Sequence, residues 1–565
     1  MQAKSSPSID NKTIRDHLVE AASFAAVLVI TAGAYAFLFN RANVLSHSIG
    51  YNLYASERVL EGAVPYRDFH TLYPPEIFYV NADLFKWLGV SLYAALLGVL
   101  VFKILTVVMI YLSARQLMPK VWAFVSTVTS IFWLRPNGPF KSVPMHYGAL
   151  FLASAMYFLL KYETRLKLRF VFFAGVSLAI VSLFKHNIGA YALVGSVAVL
   201  IADDRSLKYT THSLIQSSRR VLTLLIGFAT VLLPAFAYMQ LKSALAPMIE
   251  TLLFGPGEFL LNRLATPLSP VAPLLLVVVA AIAYAAYKLR SNPTLTVSLW
   301  LASIAGICAY LVFGSQSGIN QIIFYLPMMV LIASLFAVVF SKQPPVPQRR
   351  ALLIVLVFAA AALMELFPRF AREQSIAAMP LAMLLTFYLL FVCRPFIEAH
   401  AGGILQYRAA LAVLPLVFFL IEARTFSSTY FEHGLHFKAN TQSLIERARG
   451  VYFPASIAAQ IDEVVNYLQQ RLPPGGYAFA QSDAGTSYLF LSDRKNISNA
   501  QFWIGVGVTP EERAATLDRI DKSPIKLIIT SDEILAAEKY EPMREYIERN
   551  FRTAARFDDV LILER

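Results

Sequence analysis

The sequence predicts a polytopic α-helical membrane protein of about 13 spans, closed by a small C-terminal α/β domain. Three observations predict it. Of 565 residues, 57% are hydrophobic and only 15% charged, too little charge to cover a soluble surface of that size. Apolar runs close to the twenty residues that cross a bilayer recur from Ala21 to Ile421. Beyond about Arg424 the pattern changes to short strands and helices in alternation.

The runs, in order, are Ala21 to Phe39, Leu92 to Ala114, Val121 to Leu134, Met145 to Leu160, Phe170 to Phe184, Ile188 to Ala202 and Val221 to Met239. They continue with Val271 to Lys288, Leu295 to Phe313, Ile322 to Phe340, Ala351 to Phe367, Ile376 to Cys393 and Ala409 to Ile421. With the N-terminus cytoplasmic, the inside segments carry roughly 19 Lys and Arg and the outside ones roughly 11, which satisfies the positive-inside rule. Arg165-Leu-Lys-Leu-Arg169, Arg219-Arg220 and Arg349-Arg350 then all face in. An odd number of spans leaves the first loop and the C-terminal domain outside the cytoplasm. The division is 1–423 for the membrane domain, with an extracytoplasmic loop at 41–90, and 424–565 for the soluble domain. The expected location is the bacterial inner membrane.

The formal charge of +13 reads as cationic loops on anionic lipid rather than a nucleic-acid surface, because no basic run interleaves with aromatics. Cys308 and Cys393 both fall in apolar runs, which excludes a disulfide framework and a CxxC metal site. In the C-terminal domain, Ile461, Val464, Val465 and Leu468 mark a helix over Ile457 to Leu472, stopped by Pro473-Pro-Gly-Gly476. Tyr477 to Ala480, Ile525 to Thr530 and Val560 to Leu563 read as strands, Thr509 to Ile520 and Pro542 to Asn550 as helices, and Tyr488 to Leu491 fits either. The domain has no Gly-rich phosphate loop and no nucleophile elbow.

Chemistry concentrates in Tyr51 to Glu76, too polar for lipid and too rich in aromatics and prolines for a passive linker. Ile49 to Leu60 reads as an amphipathic helix ended by Gly62 and lying along the membrane surface, with Glu57 and Glu61 on its solvated face. Asp68 follows Pro65-Tyr66-Arg67 in a turn that cannot continue the helix. It serves either as a general base toward an acceptor hydroxyl or amine, or as the partner of Arg67 or a cap of the helix beginning after Pro75.

The stretch Gly62-Ala-Val-Pro-Tyr-Arg-Asp-Phe-His-Thr-Leu-Tyr-Pro-Pro-Glu-Ile-Phe-Tyr79, with Phe85-Lys-Trp-Leu-Gly89 after it, resembles the first extracytoplasmic loop of GT-C superfamily glycosyltransferases. The resemblance is to bacterial enzymes related to protein mannosyltransferases and the lipid A aminoarabinose transferase. Phe173-Ala-Gly175 leading to Phe184-Lys-His-Asn-Ile-Gly189, Phe367-Pro-Arg369 before Pro380, and Ser487 to Arg494 with Pro542 to Phe551 fit the same pattern. The resemblance implies a GT-C type fold and transfer of one sugar, with inversion, from a polyprenyl-phosphate donor to a glycan, lipid or protein acceptor outside the cytoplasm. The acceptor's proton goes to Asp68. Cations at outer span ends hold the departing lipid phosphate: Lys185 and Arg369 first, His186 and Arg372 next, with Arg67, Lys141 and His146 as further donor contacts.

Three departures from the family pattern stand out. Ser46-His-Ser-Ile-Gly-Tyr51 holds no acid where family members carry one, leaving Asp68 alone or with His47 substituting, and the next outer loop, Arg135 to His146, also has none. Glu373 takes the place of the late acid, displaced, with Glu57 a further auxiliary. The reading includes no cofactor and leans against a dedicated metal site. Two other classes stay open, a non-catalytic scaffold of envelope-glycan assembly and a lipid-linked-sugar flippase. The clear mid-run charge for a transporter is Lys103, but no half-to-half repeat accompanies it.

Overall fold

The computed structural model describes residues 11–36, 38–42, 47–133, 142–202, 211–254, 331, 346–366, 378–392, 440–481, 483–499, 510–522, 527–536 and 541–565. The runs at Val271, Leu295, Ile322 and Ala409 lie outside these residues, apart from Leu331. So do Lys141, Arg369, Arg372, Glu373 and both cysteines.

The apolar runs inside the described residues fold as helices. They are α1 (Asn11–Ala36), α4 (Leu92–Leu117), α5 (Lys120–Trp133), α6 (Pro144–Arg165), α7 (Leu168–Phe184), α8 (His186–Ile201), α9 (Thr211–Leu241), α11 (Val346–Leu363) and α12 (Ala378–Val392). Among the described residues three stretches are long and apolar enough to cross a membrane, Leu18–Ala36, Leu92–Leu117 and Ile215–Leu241. Shorter apolar helices, including α7, α8 and α12, pack among them. Between α1 and α4 stand α2 (His47–Leu60) and α3 (Glu76–Leu88), and α10 (Leu245–Phe254) follows α9.

Helix association in lipid gains nothing from excluding water, so close backbone approach carries much of it. Here α7 and α9 meet at two glycines. A Cβ at Gly175 would collide with the Leu224 carbonyl, and one at Gly227 with the Phe172 carbonyl. Neither neighbour is a side chain that can swing away. Gly175→Val should therefore lower stability by about 1–3 kcal/mol through overpacking, read as a drop in thermal-unfolding midpoint in detergent. Gly33→Ala, inside α1 with nothing within 4 Å, should not lower the midpoint.

The bundle has two chemically distinct ends. At one, Arg350 pairs with Glu163 at 3.0 Å, Arg220 lies over the Tyr162 ring at 6.0 Å, and the Tyr388 hydroxyl donates to the Gln348 carbonyl at 3.1 Å. The three cationic turns around 165, 220 and 350 thus gather together. The opposite end carries the 61–75 loop, Ser142, Lys185, Lys242 and Glu365, covered by the C-terminal α/β region.

That region is a five-stranded sheet in the order β4-β3-β5-β7-β6, from β3 (Tyr477–Ala480), β4 (Lys495–Asn496), β5 (Leu527–Thr530), β6 (Arg552–Phe557) and β7 (Val560–Glu564). Strands β4, β3 and β5 are parallel; β7 runs antiparallel to both β5 and β6. A two-stranded ribbon, β1 (Thr441–Gln442) with β2 (Tyr452–Phe453), precedes it. The helices are α13 (Ala455–Arg471), α14 (Asp483–Ser492), α15 (Pro510–Lys522), α16 (Asp532–Ala536) and α17 (Glu541–Asn550). Ile461, Val464, Val465 and Leu468 are all buried, as their spacing predicts. Tyr488 to Leu491 resolves as helix, inside α14.

One expectation is corrected. Helix α2 is not a surface helix with one buried face: Tyr51 to Ser56 are all buried within the protein, whereas Leu60, expected on the apolar face, is 37% exposed. The helix is instead clasped between α3 and α14, because its Tyr51, Asn52, Tyr54 and Ser56 offer hydrogen-bonding groups that lipid cannot satisfy. Glu57 is accordingly not on a solvated face. It pairs with Arg447 of the C-terminal region at 2.8 Å.

Candidate active site

The opening loop is built as a closed turn. Gly62, at φ 100°, ends α2, and the chain reverses at Tyr66, a non-glycine residue at φ 68°. Such a left-handed residue persists only where its surroundings over-determine it. Here they do: the Tyr66 N–H donates to the Phe69 carbonyl at 2.8 Å, the Asp68 N–H to the Val64 carbonyl at 2.9 Å, and the buried Tyr66 hydroxyl to the Tyr73 carbonyl. Val64 and Tyr66 pack on Met239, Ala244 and Met248, which seats the loop on the α9–α10 corner.

Asp68 is the acceptor at the centre of this turn. Its Oδ2 accepts from the Val64 N–H at 2.7 Å and from Arg67 at 2.7 Å, and its Oδ1 accepts from the Arg67 Nε at 2.9 Å. The fork of Arg67 is the main reason the carboxyl sits below its usual range, with the Val64 N–H adding to it. Arg67 also reaches the Lys242 carbonyl at 3.5 Å, and Asp68 remains 29% exposed. Arg58 lies over the Phe69 ring at 5.2 Å and donates to the Asp68 backbone carbonyl at 3.1 Å. Its grip is on the main chain and leaves the carboxylate to Arg67.

Lys185 stands in the turn between α7 and α8. Its ammonium is 3.2 Å from Glu365 Oε1 and 6.0 Å from the centroid of the Tyr73 ring, so a span-end cation and the opening loop meet. Glu365, in the 3₁₀ turn Met364–Leu366 that ends α11, is buried. His186 opens α8 directly after Lys185, and Leu252 of α10 packs against the cluster that seats Val64 and Tyr66. His146 is buried in the first turn of α6, and its neighbour Tyr147 stacks on Phe184 at 5.7 Å, which places it beside the Lys185 turn. His47 opens α2.

Asp68, Arg67, Lys185, His186 and His146 therefore gather at one end of the bundle, while Glu57 belongs to the contact with the C-terminal region. Sequence reasoning missed Glu365, because a lone acid closing an apolar run looks like an interfacial residue until Lys185 is placed beside it. It also missed a buried network that joins the loop to the bundle. Asn52 donates to the Ser142 carbonyl at 2.7 Å, Asn81 to Ser142 Oγ at 2.8 Å, and the Tyr147 hydroxyl to Asn81 Oδ1 at 2.9 Å. Asparagines on the inner faces of two loop helices were the available signal. No group of three or more His, Cys, Asp or Glu side chains that could hold a metal ion occurs among the described residues.

No protein-family profile matches the chain, and no curated protein sequence matches it. Solved structures do. The oligosaccharyltransferase of Archaeoglobus fulgidus, tethered with an acceptor peptide containing the NVT sequon, is 15% identical, with a TM-score of 0.50 over 94% of this chain and 72% of that one. The archaeal oligosaccharyltransferase AglB from Archaeoglobus fulgidus, in complex with an inhibitory peptide and a dolichol-phosphate, is 14% identical, with a TM-score of 0.46 over 92% and 72%. ArnT from Cupriavidus metallidurans bound to undecaprenyl phosphate is 13% identical, with a TM-score of 0.47 over 96% and 97%. The first of these likenesses carries the fold alone: the chain shares the overall fold of the archaeal oligosaccharyltransferase.

Proposed function

We propose that the protein is a membrane glycosyltransferase that moves a single sugar from a polyprenyl-phosphate donor to a glycan, lipid or protein acceptor at the extracytoplasmic face of the bacterial inner membrane. The observation that carries the reading is the meeting of the opening loop with the Lys185 turn, where the ammonium lies 6.0 Å from the Tyr73 ring centroid. A reaction of this kind needs a proton acceptor beside a cationic phosphate site, at the height where a lipid phosphate lies. Asp68 supplies the first and Lys185, with His186, the second. Arg67 touches Asp68 and leans toward the α9–α10 corner, so it is suited to following the developing phosphate charge. Arg369 and Arg372, outside the described residues, are assigned to the same role. The glycosyl donor loses its phosphate to these cations while the acceptor oxygen or nitrogen attacks from the opposite side, with inversion.

The topology proposed with it has 13 spans, a cytoplasmic N-terminus and a C-terminal domain of residues 424–565 outside. Its support is the separation of the cationic turns from the loop end of the bundle. The bound lipid phosphates and acceptor peptide of the matched structures are of the ligand classes assigned here.

A scaffold reading is favoured by one observation, the capture of Asp68 by Arg67, which holds it as a weak base. One experiment decides between them: mass spectrometry of envelope glycans and lipid-linked sugars in a deletion strain and in a strain carrying Asp68→Asn. A glycan lacking one residue in both strains supports the enzyme. A deficit in the deletion alone supports a scaffold, and a complete lipid-linked precursor held on the inner face supports a flippase.

A further inference from the structure

Gly50, Tyr54 and Glu57 of α2, with Glu61 just past its end in a turn closed by the Glu61 N–H on the Glu57 carbonyl at 2.9 Å, are spaced by four, three and four residues and so form one stripe. Every one of them meets the C-terminal α/β region. Gly50 abuts Ser487 so closely that a Cβ there would strike its main chain and hydroxyl. The Tyr54 hydroxyl accepts from the Asn496 N–H at 2.7 Å, and Glu61 pairs with Lys495 at 2.9 Å. Between them lies the most buried ionic contact of the stripe. Arg447 Nη1 donates to Glu57 Oε2 at 2.9 Å and to the Phe490 carbonyl at 2.7 Å, while Nη2 lies 2.8 Å from Glu57 Oε1 and 2.7 Å from Asp493 Oδ1. The side chains of Arg447 and Glu57 are only 18% and 14% exposed. The Arg447 guanidinium lies over the Phe490 ring at 5.5 Å, and that ring stacks on Phe85 of α3 at 5.9 Å.

The residue next to Glu57 carries the contact onward. Arg58 donates to Asn499 Oδ1 at 3.5 Å and to the Asp68 carbonyl, and the His70 N–H donates to the Asn499 carbonyl at 2.8 Å. The 68–70 segment is thus held from the C-terminal region by the main chain of one residue and by Arg58 through another. A rotation of α2 about its axis would move both Arg58 contacts together.

We propose that Arg447 is a positioning residue: by clamping Glu57 it fixes the rotation of α2, and through Arg58 and Asn499 it sets the conformation of the loop that carries Asp68. The inference rests on that loop being the working part of the proposed transferase, but its structural core is independent of the reaction. Removing the guanidinium leaves Glu57 with a buried, uncompensated charge, the costly way to break such a contact.

The test is hydrogen exchange of the full-length protein in nanodiscs, followed by mass spectrometry on the peptides covering 62–76, with undecaprenyl phosphate binding measured in parallel. Arg447→Gln should speed exchange in 62–76 by about tenfold or more while helix Leu92–Leu117 keeps its protection. Glu57→Gln should do the same, and the double variant should be no worse than either single one, because both remove one contact. Arg447→Lys should recover part of the protection, and Asp493→Asn, which cuts only the more exposed arm, should leave 62–76 as in the wild type. Undecaprenyl phosphate should still bind to Arg447→Gln, since Lys185 is untouched. Unchanged exchange in 62–76 for both Arg447→Gln and Glu57→Gln overturns the proposal, as does additive loss in the double variant. Failure of the wild-type protein to bind undecaprenyl phosphate counts against the transferase reading and leaves the exchange result standing.

Discussion

Asp68→Asn should lower transfer of sugar from a polyprenyl-phosphate donor by about 10²–10⁴-fold, the usual worth of a positioned general base. The variant is informative because the turn should survive it. Arg58 holds the backbone carbonyl of Asp68, and the Asp68 N–H still donates to Val64, so neither contact depends on the carboxylate. The Val64 N–H keeps an acceptor in the amide oxygen. What is lost is the charge that Arg67 faces and the capacity to take a proton. Arg67→Gln should act in the opposite sense on the pH profile. Arg67 is the leading cause that holds the Asp68 carboxyl down, so its removal raises that carboxyl toward the ordinary range and moves the acid limb of activity to higher pH. The linkage to stability has the matching sign. A depressed folded-state carboxyl contributes stability above its unfolded value, and that contribution disappears as pH falls through the lowered one. Full activity of Asp68→Asn in reconstituted membranes would remove Asp68 from the mechanism.

The elements legible in the sequence were those set by one local cause. The apolar runs became helices because a continuous run of about twenty apolar residues satisfies its own backbone groups in lipid only as a helix, and Ile461, Val464, Val465 and Leu468 announced α13 by period alone. The paired strands β6 and β7 were half legible: the apolar Val560 to Leu563 stood out, whereas Arg552–Phe557 carries a mostly exposed face and reads as loop until its partner is present. The sequence marks α2 as a helix but does not name what covers it. Its polar residues imply contact with something wet, and only the fold shows that this is the C-terminal region rather than a headgroup layer. Glu57 shows the same limit from the charge side, since an acid on an amphipathic helix cannot name a cation 390 residues away. Asp68 carried two readings, base and partner of Arg67, and the ion pair exists without deciding against the base.

Lys185→Met should destabilise the protein by about 3–5 kcal/mol and abolish binding of undecaprenyl phosphate, and the two effects are separable. The stability loss follows from the pair with Glu365. The Glu365 side chain is only 8% exposed and that of Lys185 23%, so deleting the ammonium removes the counter-charge 3.2 Å from a carboxylate that water reaches poorly. Lys185→Met combined with Glu365→Leu removes both charges and fills the space with apolar side chains, an exchange that is commonly neutral or stabilising. The double variant should therefore regain the wild-type unfolding midpoint. Phosphate binding should not return with it, because the lost cation is what the phosphate requires. Glu365→Gln keeps that cation and removes its competitor, so it should bind undecaprenyl phosphate at least as tightly as the wild type. If the double variant recovers binding along with stability, Lys185 serves the fold alone. If Glu365→Gln binds more weakly, Glu365 orients the ammonium toward the ligand and does not compete for it. Both results are read from one titration with one thermal scan, which separates what the ion pair does for the bundle from what its lysine does for the lipid.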